Sequence, residues 1–104
     1  MQIRWTEPAL EDMEGIQNYI AKDSSFYARQ FIERVFEVVK NLERFPDIGR
    51  QVPEAEDRED VRELIFQGYR IIYLRQSGFI YIVAVIHGSR DLSGMANKPW
   101  DDTE

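Results

Sequence analysis

Along this chain the repeat of apolar positions changes from helical spacing in the first half to strand spacing in the second. Leu10, Met13, Ile16 and Ile20 recur at three- and four-residue steps, while Glu11, Asp12, Glu14 and Asn18 fall elsewhere. That spacing predicts an amphipathic helix ending near Lys22. Thr6 stands where an N-cap hydroxyl is wanted, with Glu7 and Pro8 at first-turn positions that favour an acid and a proline. Asp23-Ser24-Ser25 forms a corner. A second stripe, Ala28, Phe31, Ile32, Val35, Val38, Val39 and Leu42, predicts a longer helix from about Phe26 to Phe45, stopped by Pro46. The two helices form an antiparallel hairpin behind a short strand at Gln2 to Trp5.

Three β-type runs follow, at about Val61 to Phe66, Tyr69 to Arg75 and Phe79 to His87, joined by the glycine-containing turns Gln67-Gly68 and Gln76-Ser77-Gly78. Such short connections favour hairpins, so the runs form an antiparallel meander. The fold class is α+β: an N-terminal strand, then the two-helix hairpin packed on a C-terminal three-stranded antiparallel sheet. Phe79 to Ile86 reads F-I-Y-I-V-A-V-I, with no polar position beyond a tyrosine hydroxyl, so both faces of that strand need cover. The helices supply one cover. A partner protein is expected to supply the other. Ala55 to Asp60 is too charged to bury and reads as an exposed loop; residues 93–104 form a tail with little periodicity, fraying over the last four.

Composition narrows the class. The 104 residues make one domain, with no cysteine for disulfides, thiolate zinc sites or thiol nucleophiles. No apolar run approaches the roughly 18 residues of a membrane span, so the protein is expected to be cytoplasmic, with no membrane partner. Net charge is −6, the wrong sign for holding nucleic acid through its phosphates, and no direct DNA binding is expected. The charge is uneven. Residues 1–60 carry 8 Lys or Arg against 14 Asp or Glu, and residues 61–98 carry 5 against 2. Arg62, Arg70, Arg75 and Arg90 either edge a solvated sheet or face an acidic partner.

Candidate chemistry is sparse. His87 is the single histidine and has no carboxylate cluster at metal-ligand spacing, so neither a metal nor a cofactor is expected. Metal-free RNA cleavage through the 2′-hydroxyl needs a base, an acid and a cation. Arg62, Arg70, Arg75, Arg90, Tyr69, Tyr73, Tyr81 and His87 contain such groups, but the strands hold no lysine.

After a helical hairpin, the succession PDIGRQVPE (Pro46 to Glu54), VRELIFQGYRIIYL (Val61 to Leu74) and IVAVIHGSRDL (Ile82 to Leu92) resembles the RelE/ParE superfamily of toxins from type II toxin–antitoxin modules. The Pro-x-x-Gly-Arg turn, Tyr69-Arg70 and the closing His-Gly-x-Arg-Asp are similar to the ParE branch. The resemblance implies a toxin that inhibits DNA gyrase by binding it and is neutralised, as a hetero-oligomer, by a cognate antitoxin with an acidic or partly disordered C-terminal segment. The RelE branch would imply a ribosome-dependent mRNA endonuclease. Of its residue set only Arg90 matches, Ile65 and Ala96 standing where a strand arginine and the C-terminal tyrosine would fall. A third alternative is a non-toxic relative that only binds antitoxin. Arg90 and Asp91, with Trp100 as anchor, are the expected target contacts; Arg70, Tyr73, Arg75 and Tyr81 are the expected antitoxin face. Trp100 can instead pack back on the helices.

Overall fold

The computed structural model describes residues 1–101. A five-stranded sheet carries two helices on one face. In chain order the elements are β1 (Gln2–Trp5), α1 (Glu7–Ala21), α2 (Ser25–Lys40), a 3-10 turn (Asn41–Glu43), β2 (Arg50–Gln51), β3 (Val61–Phe66), β4 (Tyr69–Gln76) and β5 (Phe79–His87). The strand order is β1-β5-β4-β3-β2. The expected meander β3-β4-β5 is the centre of this sheet, antiparallel throughout. β1 adds parallel to β5, and the two-residue β2, which no sequence pattern announced, adds to β3.

Local chemistry explains the boundaries. The Thr6 hydroxyl accepts from the Ala9 amide at 3.3 Å and donates to the Ile82 carbonyl at 2.8 Å, so one cap both starts α1 and ties it to β5. Ser24 caps α2 by accepting from the Tyr27 amide at 3.1 Å. α2 ends at Lys40, earlier than expected, because the chain tightens into the 3-10 turn ahead of Pro46, whose ring disfavours helical backbone at Phe45. Both hairpin turns hold two residues with positive φ, Gln67 (47°) with Gly68 (83°) and Ser77 (53°) with Gly78 (83°). Those angles match the right-handed twist of the strands they join.

β5 carries a bulge. Ile72 pairs with Ala84 and Tyr73 with Ile82, leaving Val83 unpaired. The extra residue puts Val83 and Ala84 on the same face, and burial of both faces accounts for the unbroken apolar run. One core, between helices and sheet, holds Met13, Phe31, Val35, Val39, Ile71, Tyr73, Ile80, Ile82 and Val85. The opposite face holds a second core of Val61, Ile72, Leu74, Val83, Ala84 and Ile86.

That second face is where expectation fails. Its cover is the chain itself: Val52 and Ala55 from the β2–β3 connection, and Leu92 and Trp100 from the tail. Ala55 is therefore buried and Asp60 half-buried, although Glu56, Asp57, Arg58 and Glu59 are exposed as expected. The tail has no periodicity because it lies over the sheet as an irregular strap, meeting it through single large side chains. Trp100 packs on this sheet face, not on the helices. Asp101, expected within the frayed end, is tied back instead, its carboxylate accepting from the Lys98 amide at 2.9 Å; the expectation for residues 102–104 lies outside the described residues.

The β2 approach depends on one close contact. Gly49 is buried, and its amide donates to the Tyr73 hydroxyl at 3.0 Å, which donates in turn to the Pro46 carbonyl at 2.9 Å. A Cβ on Gly49 would lie 2.6 Å from the Glu63 carbonyl oxygen and 2.7 Å from the Tyr73 hydroxyl oxygen. Backbone on one side and a buried ring on the other cannot both give way. Gly49→Ala is expected to destabilise the fold by about 1–3 kcal/mol, read from urea unfolding; an unchanged midpoint would show that the turn relaxes freely.

Candidate functional site

Beneath the tail strap, β3 and β4 bring a buried acid and a buried arginine together. Glu63 shares its strand face with Val61, and Arg70 shares its own with Ile72 and Leu74, so both point into the second core. Their exposures are 1% and 4%. Arg70 Nε donates to Glu63 at 2.7 Å, Nη2 to Glu54 at 2.7 Å, and Nη1 to both Glu54 at 2.8 Å and the Arg90 carbonyl at 2.9 Å. Glu54 also accepts from the Leu92 amide at 3.0 Å. The other Glu63 oxygen takes Arg50 Nε at 2.6 Å. A single guanidinium thus joins the sheet, the β2–β3 connection and the turn that opens the tail.

The electrostatics follow from this geometry. Hydrogen bonding to Arg70 holds the Glu54 carboxyl at about 2, against the partial burial that opposes it. Hydrogen bonds from Glu54 and Glu63 push the Arg70 pKa up in return. With the Glu54 carboxyl held far below neutrality and the guanidinium pushed further up, the pair is a fixed clamp at neutral pH and not a proton-transfer pair.

The clamp shapes a cleft of about 700 Å³. The Pro53–Arg58 stretch forms one wall, and Gly88, Arg90 and Asp91 with Lys98 and Trp100 form the other. Arg90 is exposed; its guanidinium reaches only the Met95 sulfur at 4.0 Å and has no carboxylate within ion-pair distance among the described residues. Asp91 is exposed beside it and bound within its own turn, accepting from the Ser93 amide at 2.9 Å and hydroxyl at 2.8 Å, which lowers its pKa.

The residues expected at a target contact are thus close in space but unlike in exposure. Arg90 and Asp91 face solvent, whereas Trp100 is 5% exposed and serves the second core. The expected antitoxin face does not form a surface. Arg70 is the clamp. Tyr73, fully buried, ties the Pro46–Gly49 turn to the first core, and burial raises its hydroxyl pKa. Arg75 is partly exposed and bound to Asp47. Tyr81 is half-buried against the second core. Arg70 and Tyr73 were expected outside because an arginine and a phenol favour water, but each finds all its partners inside.

Glu54 and Glu63 escaped the sequence reading. An acid between Val61 and Ile65 on one strand face was the available signal for Glu63; Glu54, in a loop, offered none. His87 is exposed, its Nδ1 bound to the Ser89 hydroxyl at 2.7 Å. No group of three or more His, Cys, Asp or Glu among the described residues could hold a metal ion, and no described helix is long and apolar enough to cross a membrane.

A family model described as the ParE toxin of the type II toxin–antitoxin system, parDE, matches residues 3–92. Toxin RelE2 of Caulobacter vibrioides is 30% identical over 90 residues, covering 86% of this chain and 97% of that protein. A solved structure from the chromosomal ParDE TA system of P. aeruginosa has a TM-score of 0.70 at 21% identity, covering 84% of this chain and 95% of its own, a likeness of fold.

Proposed function

Because this chain belongs to the ParE toxin family of type II toxin–antitoxin systems, we propose that it stops growth by binding and inhibiting DNA gyrase, and that a cognate antitoxin neutralises it. The observation that carries the non-catalytic half of this reading is the chemistry of the cleft. No imidazole or phenol lines it among the described residues, and its innermost carboxylate, Glu54, is held at about 2. A general base works best with a pKa near the operating pH, and Glu54 is far below it. Cations and a shaped surface without a proton-transfer pair suit recognition better than cleavage. Arg90 and Asp91, presented on a turn that the Arg70 clamp fixes, are the contacts assigned to the target.

The second reading, an mRNA endonuclease acting on the ribosome, draws on the cations Arg50, Arg58, Arg90 and Lys98 around the same cleft. A third, a non-toxic antitoxin binder, predicts no effect on growth. Expression without antitoxin is expected to halt growth, and the purified protein to suppress supercoiling by gyrase with accumulation of cleaved DNA. Codon-specific cuts in a translation extract, with gyrase unaffected, would overturn the proposal. So would unimpaired growth.

A further inference from the structure

The Arg90 guanidinium has a single polar partner among the described residues, and that partner can be oxidised. Its Nη2 lies 4.0 Å from the sulfur of Met95. The backbone of Met95 is held from two sides: its amide donates to the Leu92 carbonyl at 3.1 Å, and its carbonyl accepts from Lys98 Nζ. The thioether therefore stands at a fixed place, half-buried on the rim of the second core, in a groove of about 340 Å³ that Arg90, Pro8 and Leu92 also line. Gly94, Ala96 and Asn97 around it in the strap are all exposed. The other two methionines are placed differently. Met13 is 4% exposed inside the first core, and Met1 lines a separate pocket with Arg62 and Arg75.

We infer that Met95 is an oxidation site whose product locks Arg90. The oxidant is a two-electron oxygen donor such as hydrogen peroxide. The sulfur lone pair attacks one peroxide oxygen and the O–O bond breaks. The departing hydroxide takes up the proton of the transferred oxygen and leaves as water, so sulfur loses two electrons and the peroxide gains them. A thioether is a weak acceptor. The sulfoxide oxygen is a strongly polar one, bonded to a sulfur that the guanidinium already approaches to 4.0 Å. A charge-assisted hydrogen bond then replaces a weak contact. A sulfoxide on the rim of an apolar core also needs a donor, and Arg90 is the cation available to supply it. Arg50 is engaged by Glu63, Arg58 by Asp60, and Lys98 by the Met95 carbonyl. Asp12 and Asp101 line the same groove, but neither comes within ion-pair distance of Arg90; Asp12 accepts from the Val85 amide at 3.0 Å and Asp101 from the Lys98 amide at 2.9 Å. Locked on Met95, Arg90 no longer offers its fork to another molecule. That this disarms the toxin rests on the target reading above; the lock itself does not.

Peptide mass spectrometry tests it in two steps. In dilute hydrogen peroxide Met95 is expected to gain one oxygen at least about tenfold faster than buried Met13. Phenylglyoxal, a dicarbonyl selective for accessible guanidinium groups, should then label Arg90 about fivefold more slowly in the oxidised protein, and the rate should return after treatment with methionine sulfoxide reductases. Met95→Leu conserves volume and should keep the fold, with Arg90 labelled at one rate before and after peroxide. Met95 oxidation no faster than that of Met13, Arg90 labelling unchanged by it, or equal slowing in Met95→Leu would each overturn the inference. Faster labelling would overturn it too, since it would mean that oxidation releases the strap. Slowed labelling with gyrase inhibition undiminished would uphold the lock and remove Arg90 from the target contact; slowed labelling in a protein that never inhibits gyrase would uphold the lock and remove the target reading.

Discussion

Arg70→Met is expected to destabilise the protein by about 3–5 kcal/mol, the loss typical of removing one member of a buried ion cluster. The substitution keeps the volume of the site and takes away its only buried cation. Glu63, whose side chain has no exposure, would be left with Arg50 alone, and Glu54 with the Leu92 amide alone. Urea unfolding at pH 7 measures the loss; a midpoint equal to wild type would show that the cluster holds nothing together. Replacing all three residues, Arg70→Met with Glu54→Leu and Glu63→Met, should recover most of the stability, since a buried ion cluster exchanged whole for apolar residues is often neutral.

The same variant should change the response to acid. The Glu54 carboxyl lies lower in the folded chain, at about 2, than its ordinary value of 4.5. A depressed carboxyl contributes stability that is complete above the unfolded value and is lost as pH falls through the folded one. Wild-type protein should therefore lose stability progressively between about pH 4.5 and about pH 2, a window that Arg70→Met would flatten. A fall of equal size in both proteins would mean that other carboxylates dominate acid unfolding.

Trp100→Ala is expected to cost about 3 kcal/mol, toward the lower end for a buried Trp, because the strap can partly close over the gap. The indole covers a sheet face made of Ile72, Leu74, Val83 and Ile86. With the cover gone, that face should bind a dye such as ANS. Thermal unfolding and dye fluorescence are the readouts. Unchanged stability with no dye binding would show that the tail is an accessory to the fold. A dye-positive variant that still arrests growth would separate the packing role of Trp100 from the toxic surface, which the proposed function places at Arg90 and Asp91.

Both effects come from one structural choice, the use of an irregular segment as the second layer over a sheet. A helix in that place would have announced itself by its repeat. The strap instead depends on Leu92 and Trp100, eight residues apart in an unpatterned tail. Its attachment depends on Arg70 meeting a loop carboxylate sixteen residues earlier and a carbonyl twenty residues later. Hence the apolar run in β5 correctly required two covers, while the identity of the second cover was misassigned to a partner. That Arg90 and Asp91 face solvent was legible from the abrupt polar end of that run. That Glu54 and Glu63 anchor the adjoining turn through Arg70 was not.

The amino-acid pattern by itself determined the two helices, their caps, the three central strands and their tight turns, because each depends on residues within a few positions of one another. The tertiary structure alone decided that β1 joins β5 in parallel, that the tail seals the second sheet face, and that Arg70 and Tyr73 lie inside. Those outcomes rest on contacts between residues far apart in the chain. Burial of a charge or a phenol depends on whether partners reach it there, and no local repeat encodes that meeting.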